Sequence, residues 1–207
     1  MNNQLVVNER EVGKTTYLLS EVDRLLQDGC NIVIMDSATE HEDKSLLKKV
    51  MKKYDNTIIF DVRDPSLITI QNGIENFISN IENEFPFSEV KKEKGKIICF
   101  DLSYFLERGY EFLEEQNNQE LYDYYRKLYN DYAEQVMVTL IMMDSCGIIS
   151  NTVVLMDEVE FPIVDYDICA YQRNLSFIGA VHSENGFGTF YRSFGKAPFK
   201  AFKRKDS

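Results

Sequence analysis

The segment N-E-R-E-V-G-K-T-T, residues 8–16, contains the residue types that a phosphate site needs. It follows the apolar run Q-L-V-V and precedes residues with helical spacing, so a strand should turn here into a helix. In that context backbone N–H groups of the turn and of the helix N-terminus converge on phosphate oxygens. The alternative is that G-K-T-T only begins a helix, with Thr as its cap and Lys in solvent.

A second chemically suggestive segment is T-V-V-L-M-D-E, residues 152–158, an apolar run that ends in two adjacent acids. The run predicts a buried strand, and the two acids would then stand together at its carboxyl end. The alternative is that paired acids merely end a strand in solvent.

Residues 8–16 resemble the P-loop, or Walker A motif, of nucleoside triphosphatases, and residues 152–158 resemble a Walker B motif with an adjacent glutamate. The resemblance implies a hydrolase that uses ATP and magnesium, with Lys14 on the terminal phosphates and Thr15 and Asp157 holding Mg²⁺. It implies that Glu158 activates the attacking water. The nucleotide-binding residues that it implies are Asn8, Val12, Gly13, Lys14, Thr15 and Thr16.

The first motif departs from the strict P-loop pattern at its beginning. The pattern has Gly where this chain has Asn8, and Asn is the next best residue for a left-handed conformation. Glu9 and Glu11 oppose the charge of a triphosphate unless they point outward or pair with Arg10.

K-I-I-C-F-D, residues 96–101, is a rival for the Walker B role. It lacks the second acid because Leu102 follows Asp101. If Asp101 were the Mg²⁺ partner, a kinase-like interpretation would gain over a hydrolase.

The order of features resembles the FtsK–HerA group of P-loop motor ATPases. The features are N-I-V-I-M-D-S-A-T-E at residues 31–40, F-D-L-S at residues 100–103, the D-E strand, and Q-R-N-L-S-F-I-G-A-V-H-S at residues 172–183. The resemblance implies that Arg173 lies near the sheet and that His182 takes the sensor position, where the family prefers Gln. A lone His at a strand end can equally be an ordinary surface or core residue.

The resemblance to motor ATPases also makes a homo-oligomer or a larger assembly a candidate. If subunits form a ring, Arg173 or Arg192 could act as an arginine finger across the interface, offsetting transition-state charge. Either could equally be a surface cation.

The elements that must position these residues follow from the apolar patterns. Six runs without polar alternation predict buried parallel strands, ending near Val7, Asp36, Asp61, Asp101, Asp157 and Val181. Helical spacing is present at Leu18, Val22, Leu25; at Leu46, Leu47, Val50, Met51, Tyr54; and at Leu67, Ile70, Ile74, Phe77, Ile78, Ile81. Strands that alternate with helices predict an α/β fold, namely a three-layer, doubly wound and mostly parallel sheet like that of P-loop NTPases.

Residues 117–143 should form one long helix, because an apolar and aromatic stripe recurs every three or four residues. The stripe is Leu121, Tyr125, Leu128, Tyr132, Val136, Leu140 and Met143. It should cover the sheet. We therefore expect one α/β domain over residues 1–190, with a helical insertion around 102–146 and a solvated connection at 85–95.

Composition narrows the partners. The chain of 207 residues carries 23 Lys+Arg against 34 Asp+Glu, a net charge of −11, so extensive wrapping of nucleic acid is disfavoured. The C-terminal tail, residues 191–207, is basic and interleaves Lys with Phe199 and Phe202. Such a tail can hold phosphates and stack bases, so nucleic acid is a candidate partner; a frayed, solvated terminus is the alternative.

Cysteine and histidine usage argues against a zinc site. The four cysteines, Cys30, Cys99, Cys146 and Cys169, form no C-x-x-C pair, and there are two histidines. Reduced, buried thiols are the expectation. The N-terminus lacks a basic flank followed by an apolar stretch, and no apolar run approaches ~18 residues, so we expect a soluble, cytoplasmic protein without a membrane span.

These features lead to an ATP-binding P-loop NTPase that hydrolyses ATP with Mg²⁺, as a motor or packaging-type ATPase. Two alternatives stay open. One is a nucleotide or small-molecule kinase whose acceptor pocket comes from residues 102–143, and the other is a nucleotide-binding adaptor or switch with little or no turnover.

Overall fold

The computed structural model describes residues 3–7, 13–37, 45–55, 57–61, 95–147, 149–159, 174–181 and 195–196. Its strands are β1 (Gln4–Val7), β2 (Asn31–Asp36), β3 (Thr57–Asp61), β4 (Ile97–Asp101), β5 (Thr152–Asp157), β6 (Leu175–Val181) and β7 (Gly195–Lys196). Its helices are α1 (Lys14–Gln27), α2 (Leu46–Lys53), α3 (Ser103–Gln116) and α4 (Gln119–Ser145). The six predicted strands are confirmed, and β7 adds a two-residue strand that the sequence did not indicate.

The strands form one sheet in the order β3-β4-β2-β5-β6-β1-β7, and every pairing among them is parallel. The strands β2, β5 and β6 are buried along their whole length, which is why their sequences are continuous apolar runs. Strand β6 separates β1 from β5. Strand β1, which leads toward the start of α1, and strand β5, which ends in the acids, are therefore two strand positions apart, about 10 Å at the usual spacing.

Helices cover both faces of the sheet. On one face α1 packs Leu18, Val22 and Leu25 against residues such as Ile32 and Leu155, and α2 adds Leu46, Leu47 and Val50 to the same core. The other face is covered mainly by α4; the buried residues of this second core include Val33, Met35, Phe100, Tyr129, Ala133, Val136, Leu140, Met143, Val154, Met156 and Phe177. The fold is thus the predicted three-layer, doubly wound α/β arrangement.

Alternation along the strands assigns each residue to a face. In β5, Val153 and Leu155 belong to the core under α1 and α2, whereas Val154 and Met156 belong to the core under α4. Because side chains alternate along a strand, Asp157 lies on the α1 face. The same parity in β2 places Asp36 on that face, beside Asp157.

The predicted long helix is confirmed as α4, but its stripe covers the sheet only in part. Asn118 caps it by accepting a hydrogen bond from the Leu121 N–H at 3.1 Å. Its C-terminal half is buried against the sheet. Its N-terminal half forms a helical hairpin with α3 instead of packing on the sheet, and it is therefore only partly buried. In the second helix, Met51 is 46% exposed instead of buried.

Some predictions concern parts of the chain outside the described residues. These are the helical pattern at residues 67–81, most of the connection at 85–95, and the basic tail apart from residues 195–196. Among the described cysteines Cys30 and Cys99 are buried, whereas Cys146, expected to be buried, is exposed at the end of α4. Within the described ranges, no helix is both long enough and apolar enough to cross a membrane.

Candidate functional site

The N-terminus of α1 lies where the phosphate turn was predicted. Gly13 precedes the helix with φ 85° and ψ 20°, a left-handed conformation that suits glycine. Gly13 offers no side chain to cap the helix, and the first turn contains no acidic residue. The positive end of the helix dipole is therefore not neutralised by a residue of its own first turn, a condition that favours an anion.

Lys14 is unusual for a lysine because it is only 5% exposed. Lysines are almost never buried to this extent without a polar or charged environment. Its ammonium lies close enough to Asp157 to lower the pKa of that carboxyl. The helix start and the end of β5 are therefore electrostatic neighbours.

The two threonines that follow differ in their surroundings. Thr15 is partly buried and its hydroxyl also lowers the pKa of Asp157. Thr16 is exposed, so only its place in the first helical turn supports the predicted role. The structure thus brings Lys14 and Thr15 to Asp157 and leaves the Thr16 side chain toward solvent.

Asp157 is 1% exposed, and neither of its carboxylate oxygens has a hydrogen-bond partner within the described part of the chain. Its interaction with the Thr15 hydroxyl is thus one of proximity, without a well-formed hydrogen bond. The pKa of Asp157 is raised to about 8, chiefly by burial; the negative charges of Asp36 and Glu158 also raise it, while Thr15 and Lys14 lower it. A buried carboxyl group in this condition is well suited to accept a cation or a proton.

Two other strand-end aspartates on this edge, Asp36 and Asp101, are engaged in the fold. Strands β3, β4, β2 and β5 end in aspartates that pair in register, Asp61 with Asp101, Asp101 with Asp36 and Asp36 with Asp157. Asp36 accepts a hydrogen bond from the Leu47 N–H of α2 at 2.7 Å. Among the aspartates whose side chains are described, Asp157 alone combines deep burial with two unpartnered oxygens.

The rival Walker B residue, Asp101, has a structural role and a distant position. Its Oδ1 accepts hydrogen bonds from the Ser103 N–H at 3.1 Å and from the Ser103 hydroxyl at 2.7 Å, at the start of α3. Strand β4 lies four positions from β1, about 19 Å at the usual spacing. The second-ranked prediction for Asp101 is therefore not supported by the geometry.

Glu158 stands directly after β5 in an uncommon backbone conformation, with φ 60°. Its N–H donates to the Ala180 carbonyl of β6 at 2.9 Å. The side chain is partly exposed, and its charge is near enough to raise the pKa of Asp157. Asp157 and Glu158 thus lie together at the end of β5, with Asp157 buried and Glu158 partly exposed.

Which metal would fit this site follows from its donors. The described residues include no group of three or more His, Cys, Asp or Glu side chains able to hold a metal by themselves. The Thr15 hydroxyl and the unpartnered Asp157 carboxylate are oxygen donors, and Mg²⁺ is commonly bound by one or two carboxylates together with substrate phosphates and waters. These residues therefore fit Mg²⁺ that arrives with a phosphate ligand.

Several predicted site residues lie outside the described residues: Asn8, Val12, Arg173, His182 and Arg192. Their roles stay predictions. One residue that the sequence analysis did not assign is Ser37, which follows β2 and is 4% exposed. It contacts the backbone of both acids at the end of β5. The only signal in the sequence was a polar residue directly after the aspartate that ends an apolar run.

Comparisons of the chain with models of protein families, with curated proteins and with solved structures gave no match.

Proposed function

We propose that this chain binds a nucleoside triphosphate with Mg²⁺ at the N-terminus of α1 and hydrolyses it. The observation that carries the proposal is the buried Asp157, whose two oxygens lack hydrogen-bond partners in the described structure while Thr15 and Lys14 lie beside it. A buried carboxylate that serves only the fold normally accepts hydrogen bonds, as Asp36 and Asp144 do here. A ligand-binding role explains why Asp157 does not.

Each residue of the site has a chemical task in this proposal. The α1 N-terminus and the Lys14 ammonium bind the phosphates, since both present positive charge. Thr15 and Asp157 supply oxygen ligands for Mg²⁺, which when bound offsets phosphate charge. Glu158, whose carboxylate is accessible beside Asp157, orients the attacking water and accepts its proton.

Burial also has a catalytic consequence. Charges in a poorly hydrated site interact more strongly than charges in water, so the pair of Lys14 and Asp157 has a large effect on a bound phosphate. ATP is the first nucleotide to test, because no described segment discriminates among bases.

The binding test compares wild type with Lys14→Ala. We expect Mg·ATP to raise the melting temperature of the wild type and to give a calorimetric binding signal that EDTA removes. Lys14→Ala should weaken binding by at least about 10- to 100-fold, because a charged hydrogen-bonding group is lost. Lys127→Ala, which removes an exposed lysine on α4, is the matched control and should bind like wild type. Equal affinity in Lys14→Ala would refute this site.

The turnover test uses Glu158→Gln, a neutral substitution of nearly the same shape. We expect it to bind Mg·ATP with wild-type affinity and to hydrolyse it about 10²- to 10⁴-fold more slowly, the usual contribution of a general base. Unchanged turnover would refute the assigned role of Glu158. Stimulation of wild-type turnover by DNA would favour a motor, ATP consumption that requires an added acceptor would favour a kinase, and binding without turnover would favour a switch.

A further inference from the structure

The backbone of Glu158 is strained. A φ of 60° belongs to the left-handed region, which residues other than Gly, Asn and Asp seldom occupy. Such a conformation persists only where neighbouring structure enforces it. The left-handed conformation changes the side of the sheet to which the Glu158 side chain projects. An extended Glu158 would project to the α4 face, opposite to Asp157, whereas the left-handed residue breaks that alternation.

Two neighbouring strands hold this backbone in place. From the β6 side, the Ala180 carbonyl accepts a hydrogen bond from the Glu158 N–H at 2.9 Å. On the β2 side, the Ser37 hydroxyl lies 2.6 Å from the Glu158 carbonyl oxygen and 3.3 Å from the Asp157 carbonyl oxygen. A hydroxyl has one proton to donate, so the shorter contact is the principal hydrogen bond. The Ser37 N–H also donates to the Asp157 carbonyl at 3.2 Å.

Among these contacts, the hydrogen bond of the Ser37 hydroxyl is the one that a side-chain substitution can remove. The other two are backbone hydrogen bonds that continue the parallel pairing of β5 beyond Asp157. They fix the Glu158 N–H and the Asp157 carbonyl, but not the Glu158 carbonyl. The Ser37 hydroxyl binds the Glu158 carbonyl, and this contact favours the orientation of the following peptide that accompanies the left-handed conformation.

We propose that Ser37 is a positioning residue that holds Glu158 in its left-handed conformation and so keeps the glutamate carboxylate on the side of Asp157. This role rests on the proposed function, because it concerns the glutamate that would activate water. Ser37 touches neither the phosphates nor the metal in this proposal. It acts through the backbone of Glu158.

The first test needs no nucleotide. Scalar couplings and carbon shifts from NMR report the backbone φ of Glu158 in wild type, Ser37→Ala and Ser37→Thr. We expect a positive φ in wild type and in Ser37→Thr, which keeps the hydroxyl, and a shift to negative φ in Ser37→Ala. A matched control is Ser176→Ala, since Ser176 is a buried serine near the opposite end of β6, 3% exposed. Persistence of the positive φ in Ser37→Ala would overturn the proposal.

The second test separates positioning from binding. In Ser37→Ala we expect kcat for ATP hydrolysis to fall about 10- to 100-fold, because misplacement of a catalytic group by ~1 Å has effects of that size. KM and the affinity for Mg·ATP should stay within about twofold, since Lys14, Thr15 and Asp157 are untouched. Ser37→Thr should restore kcat, and Ser176→Ala should leave it unchanged.

The two proposals can fail independently. If wild type neither binds nor hydrolyses nucleotide, the proposed function fails, while the NMR comparison still decides whether Ser37 controls Glu158. If wild type hydrolyses ATP and Ser37→Ala does so at the same kcat, the positioning role is wrong and the proposed function stands. A parallel loss of binding and kcat in Ser37→Ala would show a general structural role and would also overturn the inference.

Discussion

Replacing Asp157 by Asn should stabilise the protein in the absence of ligand and abolish its response to Mg·ATP. The wild-type carboxyl is 1% exposed without a described hydrogen-bond partner, and its pKa is raised from 3.8 to about 8, chiefly by burial. At pH 7 the unfavourable contribution of this group to folding has a ceiling of about 4 kcal/mol, since each pKa unit between 3.8 and 7 corresponds to about 1.4 kcal/mol.

The expected gain is smaller than that ceiling. The amide of Asn is also polar, and leaving it without partners costs about 1–3 kcal/mol. We therefore expect Asp157→Asn to be more stable than wild type by about 1–3 kcal/mol at pH 7, a rise in melting temperature of roughly 3–10 °C for a chain of this size.

The sign of the pH dependence follows from the raised pKa. The unfolded carboxyl loses its proton near pH 4 and the folded carboxyl near pH 8, so the unfolded state binds fewer protons between these values. Wild-type stability from this group is fully present below about pH 4 and is lost as the pH rises to about 8. The advantage of Asp157→Asn should therefore grow from pH 5 to pH 8.5 and then level off.

Urea and thermal unfolding in EDTA at pH 5, 7 and 8.5, repeated with Mg·ATP, would measure these differences. Asp144→Asn is the matched control, because Asp144 is also 1% exposed but accepts a hydrogen bond from the Asn174 N–H at 2.8 Å. It should lose about 1–3 kcal/mol, the penalty for disturbing a satisfied buried group. An Asp157→Asn variant less stable than wild type at pH 7 would refute the reasoning, since the carboxylate would then be a structural partner.

Three further predictions follow. Asp101→Ala should lose about 1 kcal/mol of stability, because it removes the acceptor of two hydrogen bonds from Ser103, yet keep the full thermal shift with Mg·ATP. Loss of the shift would support the rival metal site. Glu158→Asn should raise stability by about 0.5–1 kcal/mol and Glu158→Val should lower it by about 1–2 kcal/mol, because a left-handed backbone suits Asn and disfavours β-branched residues. If urea unfolding showed the Val variant to be more stable than the Asn variant, the backbone of residue 158 would not be strained. Gly109→Ala should stabilise the protein by up to about 1 kcal/mol, because Ala has a higher helix propensity than Gly. The added Cβ would lie 3.4 Å from Tyr122, an ordinary contact. A melting temperature below that of wild type would show that the α3–α4 contact has no room for it.

The strands were predictable because each is buried on both faces. A parallel strand under two helical layers needs apolar side chains on both sides, which leaves an uninterrupted run in the sequence. Strand β7 had no such run because it has two residues and lies at the edge of the sheet. The sequence showed the stripe on α4, but it did not show that the first half of this stripe packs on α3. Helical periodicity tells which residues share a face, but not which element that face contacts.

The sequence predicted which residue types form the site, but not which of the strand-end aspartates belongs to it. Four strands end in aspartate, and their local sequences are nearly equivalent. Strand order places β5 two positions from β1 and β4 four positions away, and the neighbouring helices engage Asp36 and Asp101. No local pattern contains that information, because sheet order results from contacts between distant segments.

By itself the sequence determined the alternation of strands and helices, the glycine-led start of α1 and the placement of two acids after a buried strand. These are properties of short segments, set by apolar periodicity and by backbone chemistry. Only the tertiary structure decided that Asp157 lies buried beside Lys14 and Thr15, and that the Ser37 hydroxyl contacts the carbonyl of a left-handed Glu158. Both results depend on which strands become neighbours, and this is decided by the packing of the whole sheet between its helices.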